Sequence, residues 1–149
     1  MNEPVYPYLN ERVCVVVHDA GAGNLILSEV RTWSPESLSI AASGPSRAIA
    51  ETLFPETKIK SVSSAMLNAT LVVTGTSHNC NDEHLARKAA LNASVYCMAG
   101  VDHWVNYKKR FCFGSEYILP NEILVSDFAA KVKAEKVFPD CKVSEVENK

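Results

Sequence analysis

His18 and Asp19 directly follow an uninterrupted run of apolar residues from Val13 to Val17. Such a run predicts a strand buried on both faces, as in a parallel sheet. A histidine at the end of that strand can act as a general base near neutral pH when a carboxylate orients it. Because neighbours on a strand point to opposite sides, Asp102 and Asp127 are orienting partners as good as Asp19. The alternative is a histidine that only makes a hydrogen bond within its loop.

Two glycines follow this pair, Gly21 and Gly23, and the pattern predicts a glycine loop between the strand and a helix capped by Asn24. Backbone N–H groups of such a loop, together with the helix N-terminus, favour an anionic ligand. Ile26 replaces the third glycine of a dinucleotide-binding motif, and no acidic residue follows the second predicted strand, which argues against an NAD enzyme. The alternative is a tight turn without a ligand.

Further along the chain, apolar runs alternate with segments of helical periodicity. This alternation predicts an α/β fold: a doubly wound, mostly parallel Rossmann-like sheet with helices on both faces. Residues 1–11 are expected to form an extended leader, and residues 12–149 a single domain. The predicted strands cover about 12–18, 38–42, 58–62, 69–74, 94–99, 122–125 and 141–146. The predicted helices cover about 24–33, 46–54, 81–92 and the segment after Ser126, and Ser126 is expected to cap the last of them. One or two helical turns are expected at 63–68.

In this fold class, ligands bind outside the carboxyl ends of the strands. Aromatic and arginine side chains that follow the predicted strand 94–99 suit sugar rings, nucleobases and phosphates, although the same aromatic residues could form helix core. The residues expected to be catalytic are His18, Asp19, Asp102 and His103. The residues expected to bind a ligand are Gly21, Gly23, Asn24, Gly75, Thr76, Ser77, Trp104, Asn106, Tyr107, Arg110 and Asp127. In the helix 81–92, the predicted sheet-facing residues are Leu85, Ala86, Ala89 and Ala90.

Composition narrows the function classes. The net charge of −2 argues against a nucleic-acid binder, and no apolar run approaches the roughly 20 residues of a membrane span. The N-terminus lacks a signal-like apolar segment, so a cytoplasmic protein is expected. The five cysteines are scattered and the four histidines lack metal-binding spacing, so neither a disulfide framework nor a metal site nor a bound cofactor is expected.

Several of these segments, taken in order, resemble a known family. They are His18–Asn24, Thr74-Gly75-Thr76, Asp102–Phe111 and Leu119–Asp127. Their order resembles the N-terminal Rossmann-like domain of polysaccharide-biosynthesis proteins with the GT-B glycosyltransferase architecture, over about residues 12–146. The resemblance implies an acceptor-binding domain whose base comes from the loop after the first strand, where His18 or Asp19 stands.

The resemblance also implies a second Rossmann-like domain or subunit that holds most of a nucleotide-sugar donor. The chain would then be one half of a two-domain protein, and whether this half is an enzyme by itself stays open. The rival hypothesis is a non-catalytic nucleotide- or phosphate-binding module that works with a partner chain.

Overall fold

The computed structural model describes residues 8, 10–77, 81–102 and 108–146. Their centre is a sheet of six parallel strands, and a separate two-stranded antiparallel hairpin lies beside it. The sheet strands are β1 Arg12–Val17, β2 Ser37–Ala42, β3 Leu71–Thr74, β4 Tyr96–Val101, β7 Glu122–Val125 and β8 Lys142–Glu145; the hairpin strands are β5 Cys112–Phe113 and β6 Glu116–Tyr117.

Helices cover both faces of this sheet, which confirms the predicted doubly wound α/β class. The helices are α1 Ala20–Trp33, α2 Pro45–Leu53, α3 Val62–Ala65, α4 Asn81–Asn92 and α5 Phe128–Val137, with a 3-10 turn at Lys109–Phe111. Helices α1 and α2 pack on one face, whereas α3, α4 and α5 pack on the other. Val13, Val15 and Val17 of β1 point towards α1, and Cys14 and Val16 point the opposite way. The valine run is therefore buried on both sides, as predicted.

The strand order is β2-β1-β3-β4-β7-β8, so the chain changes direction across the sheet at β1. From β1 it first moves outwards to β2 through α1, and then returns past β1 to β3 through α2 and α3. Loops after β1 and β3 consequently diverge to opposite faces and leave a crevice between them. This topological switch point is where ligands bind in doubly wound sheets.

Helix α1 begins four residues earlier than predicted, at Ala20, with Asp19 as its N-cap residue. Gly21 and Gly23 therefore lie in the first helical turn rather than in a loop, and Asn24 is not the cap. Both glycines stand where another part of the chain approaches the helix closely, because a side chain on Gly21 would clash with Asp102 and one on Gly23 with Ser46. Their small size, rather than flexibility, accounts for their positions.

Other boundaries also differ from prediction. Residues 58–62 do not form a strand: Ile59 makes only an isolated bridge to Ile40 at the edge of the sheet. The hairpin at 112–117 was not predicted, since two-residue strands leave almost no periodic signal. Helix α5 is capped by Asp127, whose Oδ1 accepts from the N–H of Ala130 at 2.7 Å, and not by Ser126.

Candidate functional site

His18 lies at the end of β1 in a rigid corner between β1 and β2. Its Nδ1 is 3.0 Å from Ser43 Oγ, and its Nε2 is 4.0 Å from Asp19 Oδ1. The imidazole is 23% exposed and packs on Gly44, whose φ of 52° and missing side chain allow the close contact. The structure therefore brings His18 and Asp19 together, and it adds Ser43 as a second partner of His18.

The backbone holds this corner in place. Ser43 N–H donates to the carbonyl of Val17 at 3.1 Å, which extends the pairing of β2 with β1 by one residue. Ser46 N–H then donates to the carbonyl of His18, and Ser46 Oγ donates to the carbonyl of Asp19, both at 2.9 Å. Since Ser46 is fully buried, it is a structural clamp between α2 and the residues that follow β1.

Asp102 follows β4, and its carboxylate lies against Gly21 in the first turn of α1. Arg110 Nη1 donates to Asp102 Oδ1 at 3.2 Å and to Thr76 Oγ1 at 3.3 Å. The Arg110 side chain is 9% exposed, and Thr76 Oγ1 in turn donates to the carbonyl of Gly100. Asp102, Arg110 and Thr76, all predicted site residues, thus form one hydrogen-bonded group at the carboxyl edge.

Glu83 of α4 is the most unusual group at this edge, because it is only 1% exposed. Its Oε1 accepts from Ser77 N–H at 2.8 Å, and Oε2, which lies against Gly75, has no hydrogen-bond partner among the described residues. Burial raises the pKa of Glu83 from 4.5 to about 7, although the Ser77 N–H and the Arg87 charge oppose that rise. The charge of Asp19 also raises it, so the two carboxylates are electrostatically close.

Arg87, one turn beyond Glu83, is 2% exposed and fixes the end of β3. Its Nη1 donates to Thr74 Oγ1 at 3.0 Å and to the carbonyl of Gly75 at 2.8 Å, and its guanidinium lies 5.4 Å from the centre of the Phe111 ring. Burial lowers the pKa of Arg87, and the Glu83 charge opposes that shift. Glu83 and Arg87 were both missed from the sequence.

The predicted sheet-facing side of α4 was partly wrong: Ala86 and Ala90 are buried, but Leu85 and Ala89 are exposed. Glu83 and Arg87 instead share the buried stripe with Ala86 and Ala90. The spacing 83, 86, 87, 90 is the i, i+3, i+4, i+7 pattern of one helix face. A search that allowed charged residues on this stripe could have found the pair, but ionic side chains are rarely buried.

The remaining predicted residues are distributed unevenly. Gly75 and Ser77 lie at the switch point beside Glu83. Gly23 packs on Ser46, and Asn24 lines a cavity of about 260 Å³ between α1 and α2, so neither faces the crevice. Asp127 is committed to capping α5. His103, Trp104, Asn106 and Tyr107 lie outside the described residues.

Carboxyl and guanidinium groups surround the N-terminal end of α1. Asp19, Glu83 and Asp102 contribute three carboxyl groups, whereas Arg110 is bonded to Asp102 and Arg87 to the β3 end. Asp102 itself lies at the helix end where a phosphate was predicted, since carboxylates are also stabilised there. Of these groups, the exposed Asp19 carboxylate would repel a ligand phosphate, whereas a ligand hydroxyl group could donate a hydrogen bond to it.

In the part of the chain that the structure describes, no three His, Cys, Asp or Glu residues are placed to hold a metal ion. None of the described helices has the length and apolar character to cross a membrane. Comparison of the chain with protein-family models, curated proteins and solved structures gives no match.

Proposed function

We propose that the crevice at the switch point binds a neutral, hydroxyl-rich ligand of the sugar class. We further propose that the domain is the acceptor-binding half of a sugar transferase of the GT-B kind. The Asp19 carboxylate, which is 46% exposed beside His18, carries this proposal. It favours hydroxyl donors and disfavours the phosphate of the rival nucleotide-binding module.

The 4.0 Å separation of His18 Nε2 and Asp19 Oδ1 matches a single hydroxyl group. An oxygen about 2.8 Å from each atom would subtend an angle of about 90° between them, which one hydroxyl can satisfy as acceptor and donor. A proton on Nε2 is favoured by the neighbouring carboxylate, so His18 donates to the hydroxyl oxygen and Asp19 accepts its proton. This is the geometry of a base positioned on an acceptor hydroxyl.

In the transfer reaction, the acceptor oxygen forms a bond to the anomeric carbon of the donor while the bond from that carbon to the nucleotide phosphate breaks. Asp19 takes the hydroxyl proton, and the nucleotide leaves with the bonding electron pair. A second Rossmann-like domain or subunit supplies the donor. The role of this chain is to hold the acceptor and its proton path in one rigid corner.

Ligand titrations followed by two-dimensional amide NMR test this assignment. Neutral monosaccharides and disaccharides are expected to shift amides of residues 18–22 and 75–77, whereas inorganic phosphate at equal concentration shifts none of them. Asp19→Asn is expected to weaken sugar binding by roughly 10- to 100-fold, the effect of losing a hydrogen bond to a charged group.

Asp140→Asn is the matched control, because Asp140 is an exposed aspartate in the turn between α5 and β8, and it should leave the affinity unchanged. Binding of nucleotides or phosphate at these amides without any sugar response would overturn the proposal in favour of the nucleotide- or phosphate-binding module. Adding a nucleotide sugar and a binding acceptor then tests turnover, which should be lost in His18→Ala.

A further inference from the structure

Ser43 differs from the other serine in the same corner in what its hydroxyl contacts. Ser46 is fully buried and donates to a backbone carbonyl, whereas Ser43 is only partly buried and its hydroxyl lies 3.0 Å from His18 Nδ1. A hydroxyl within hydrogen-bond reach of an imidazole that is itself faced by a carboxylate is the arrangement that activates serine nucleophiles. The sugar site uses the opposite ring nitrogen and gives Ser43 no role.

The direction of the Ser43–His18 hydrogen bond follows from the surroundings of the ring. Asp19 Oδ1 lies 4.0 Å from Nε2, and its charge favours a proton on that nitrogen. Neutral imidazole then carries its lone pair on Nδ1, which accepts from the Ser43 hydroxyl. In this tautomer, Nδ1 is the ring atom that can take the proton of Ser43.

The turn after Ser43 supplies a donor for a developing negative charge. Among the described residues, Gly44 N–H donates to no backbone carbonyl, whereas Ser46 N–H and Arg47 N–H each do. In serine hydrolases with a strand–turn–helix nucleophile, the N–H of the residue after the serine stabilises the oxyanion. Ser43 likewise lies between the end of β2 and the start of α2, although the positive φ of this turn is at Gly44 and not at the serine.

We propose that Ser43 is a nucleophilic serine activated by His18, and that this corner of the sheet reacts with carboxylic esters. Ser43 Oγ forms a bond to the ester carbonyl carbon while its proton passes to His18 Nδ1. The carbon–oxygen bond to the leaving group then breaks, and the departing alcohol takes that proton. Water hydrolyses the acyl-serine by the same path in reverse, which releases the carboxylic acid and restores Ser43.

Diisopropyl fluorophosphate tests this activity without a known substrate, because it forms a stable phosphoryl ester with activated serines and releases fluoride. The folded wild-type chain is labelled and then digested, and mass spectrometry of the peptides is expected to locate the adduct at Ser43. The rate at Ser43 should exceed that at Ser37, an exposed serine at the other end of β2, by about 100-fold or more, the usual contribution of a general base.

Ser43→Ala should abolish the adduct, and Ser37→Ala should leave its rate unchanged. His18→Gln should lower the rate about 100-fold, and circular dichroism establishes that the variant is folded. Asp19→Asn serves as a second variant, with a smaller reduction, should the His18 variant not fold. Equal labelling of Ser43 and Ser37 in the folded wild-type chain would overturn the proposal. Because the reagent is not a sugar, failure of the labelling experiment and failure of the sugar titrations can be distinguished from each other.

Discussion

Glu83 is the group whose ionisation should most clearly change the stability of this domain with pH. Its side chain is 1% exposed, its Oε1 accepts from the Ser77 N–H, and the backbone N–H of His18 also favours its charged form. Burial therefore favours the neutral acid and raises the pKa to about 7. The Arg87 charge and the Ser77 N–H stabilise the carboxylate in part, whereas the Asp19 charge acts in the same direction as burial.

The sign of the effect follows from proton linkage. The folded chain binds the Glu83 proton more tightly than the unfolded chain, in which the pKa is 4.5. The stabilisation is complete below pH 4.5 and is lost as the pH rises through about 7. Because one pKa unit is worth about 1.4 kcal/mol, the whole shift corresponds to about 3 kcal/mol. The part that falls between pH 5 and pH 8 is about 2.5 kcal/mol.

Glu83→Gln removes this titration, because the amide does not ionise but keeps an oxygen that can accept from Ser77. The free energy of unfolding of the variant relative to wild type is expected to rise by about 2.5 kcal/mol between pH 5 and pH 8. In urea unfolding followed by circular dichroism, this is a relative shift of the midpoint of about 1 M. Comparing two chains at each pH cancels the other titrating groups.

Glu51→Gln is the control, because Glu51 is an exposed residue of α2 that pairs with Arg47 at 3.2 Å. A surface pair of this kind contributes little, so the difference between this variant and wild type should stay nearly constant with pH. A Glu83→Gln difference that is equally constant from pH 5 to pH 8 would refute the conclusion that Glu83 is destabilised as a carboxylate.

Two further substitutions test the capping and packing assignments. Asp127→Ala should lower the free energy of unfolding by about 1 kcal/mol, because the α5 cap is lost. Ser126→Ala should be nearly neutral in the same urea experiment, and neither variant should change the sugar affinity. Equal effects of the two variants on stability would contradict the assigned cap. Gly75→Ala should cost about 1–3 kcal/mol, because the new methyl group clashes with the buried Glu83 carboxyl group. Combining it with Glu83→Ala should cost less than the sum of the two, and strict additivity in this double-mutant cycle would show that the clash is absent.

Much of the scaffold was predictable because its signals are local. The valine run of β1 and the apolar segment Glu122–Val125 each marked a strand, and α4 was predicted with its observed bounds, Asn81–Asn92. Hydrophobic periodicities of two and 3.6 residues can be recognised within a short segment, so strands and helices can be predicted without knowing which elements they pack against. The parallel, doubly wound sheet followed from their order.

The roles of the glycines and serines at the site could not be predicted from local sequence patterns. Gly21 and Gly23 suggested a loop, but they allow Asp102 and Ser46 to approach α1. Ser46 stands at the start of α2, where a serine commonly caps a helix, but it is instead a buried clamp to the carbonyl of Asp19. In each case the residue type is explained by a contact with a distant part of the chain, which no short window contains.

The His18-Asp19 pair was visible from the sequence alone, as were the strand that presents it and the sheet edge on which it lies. Only the tertiary structure placed Ser43 against its ring and brought the buried carboxyl group of Glu83 to the edge where Asp102 was predicted. The physical reason is that backbone periodicity can be recognised within a short segment. The charge of a site depends instead on side chains from several loops, which only the strand order brings together. The exposed Asp19 carboxylate at this edge is the basis on which we propose a hydroxyl-bearing sugar rather than the phosphate of the rival hypothesis.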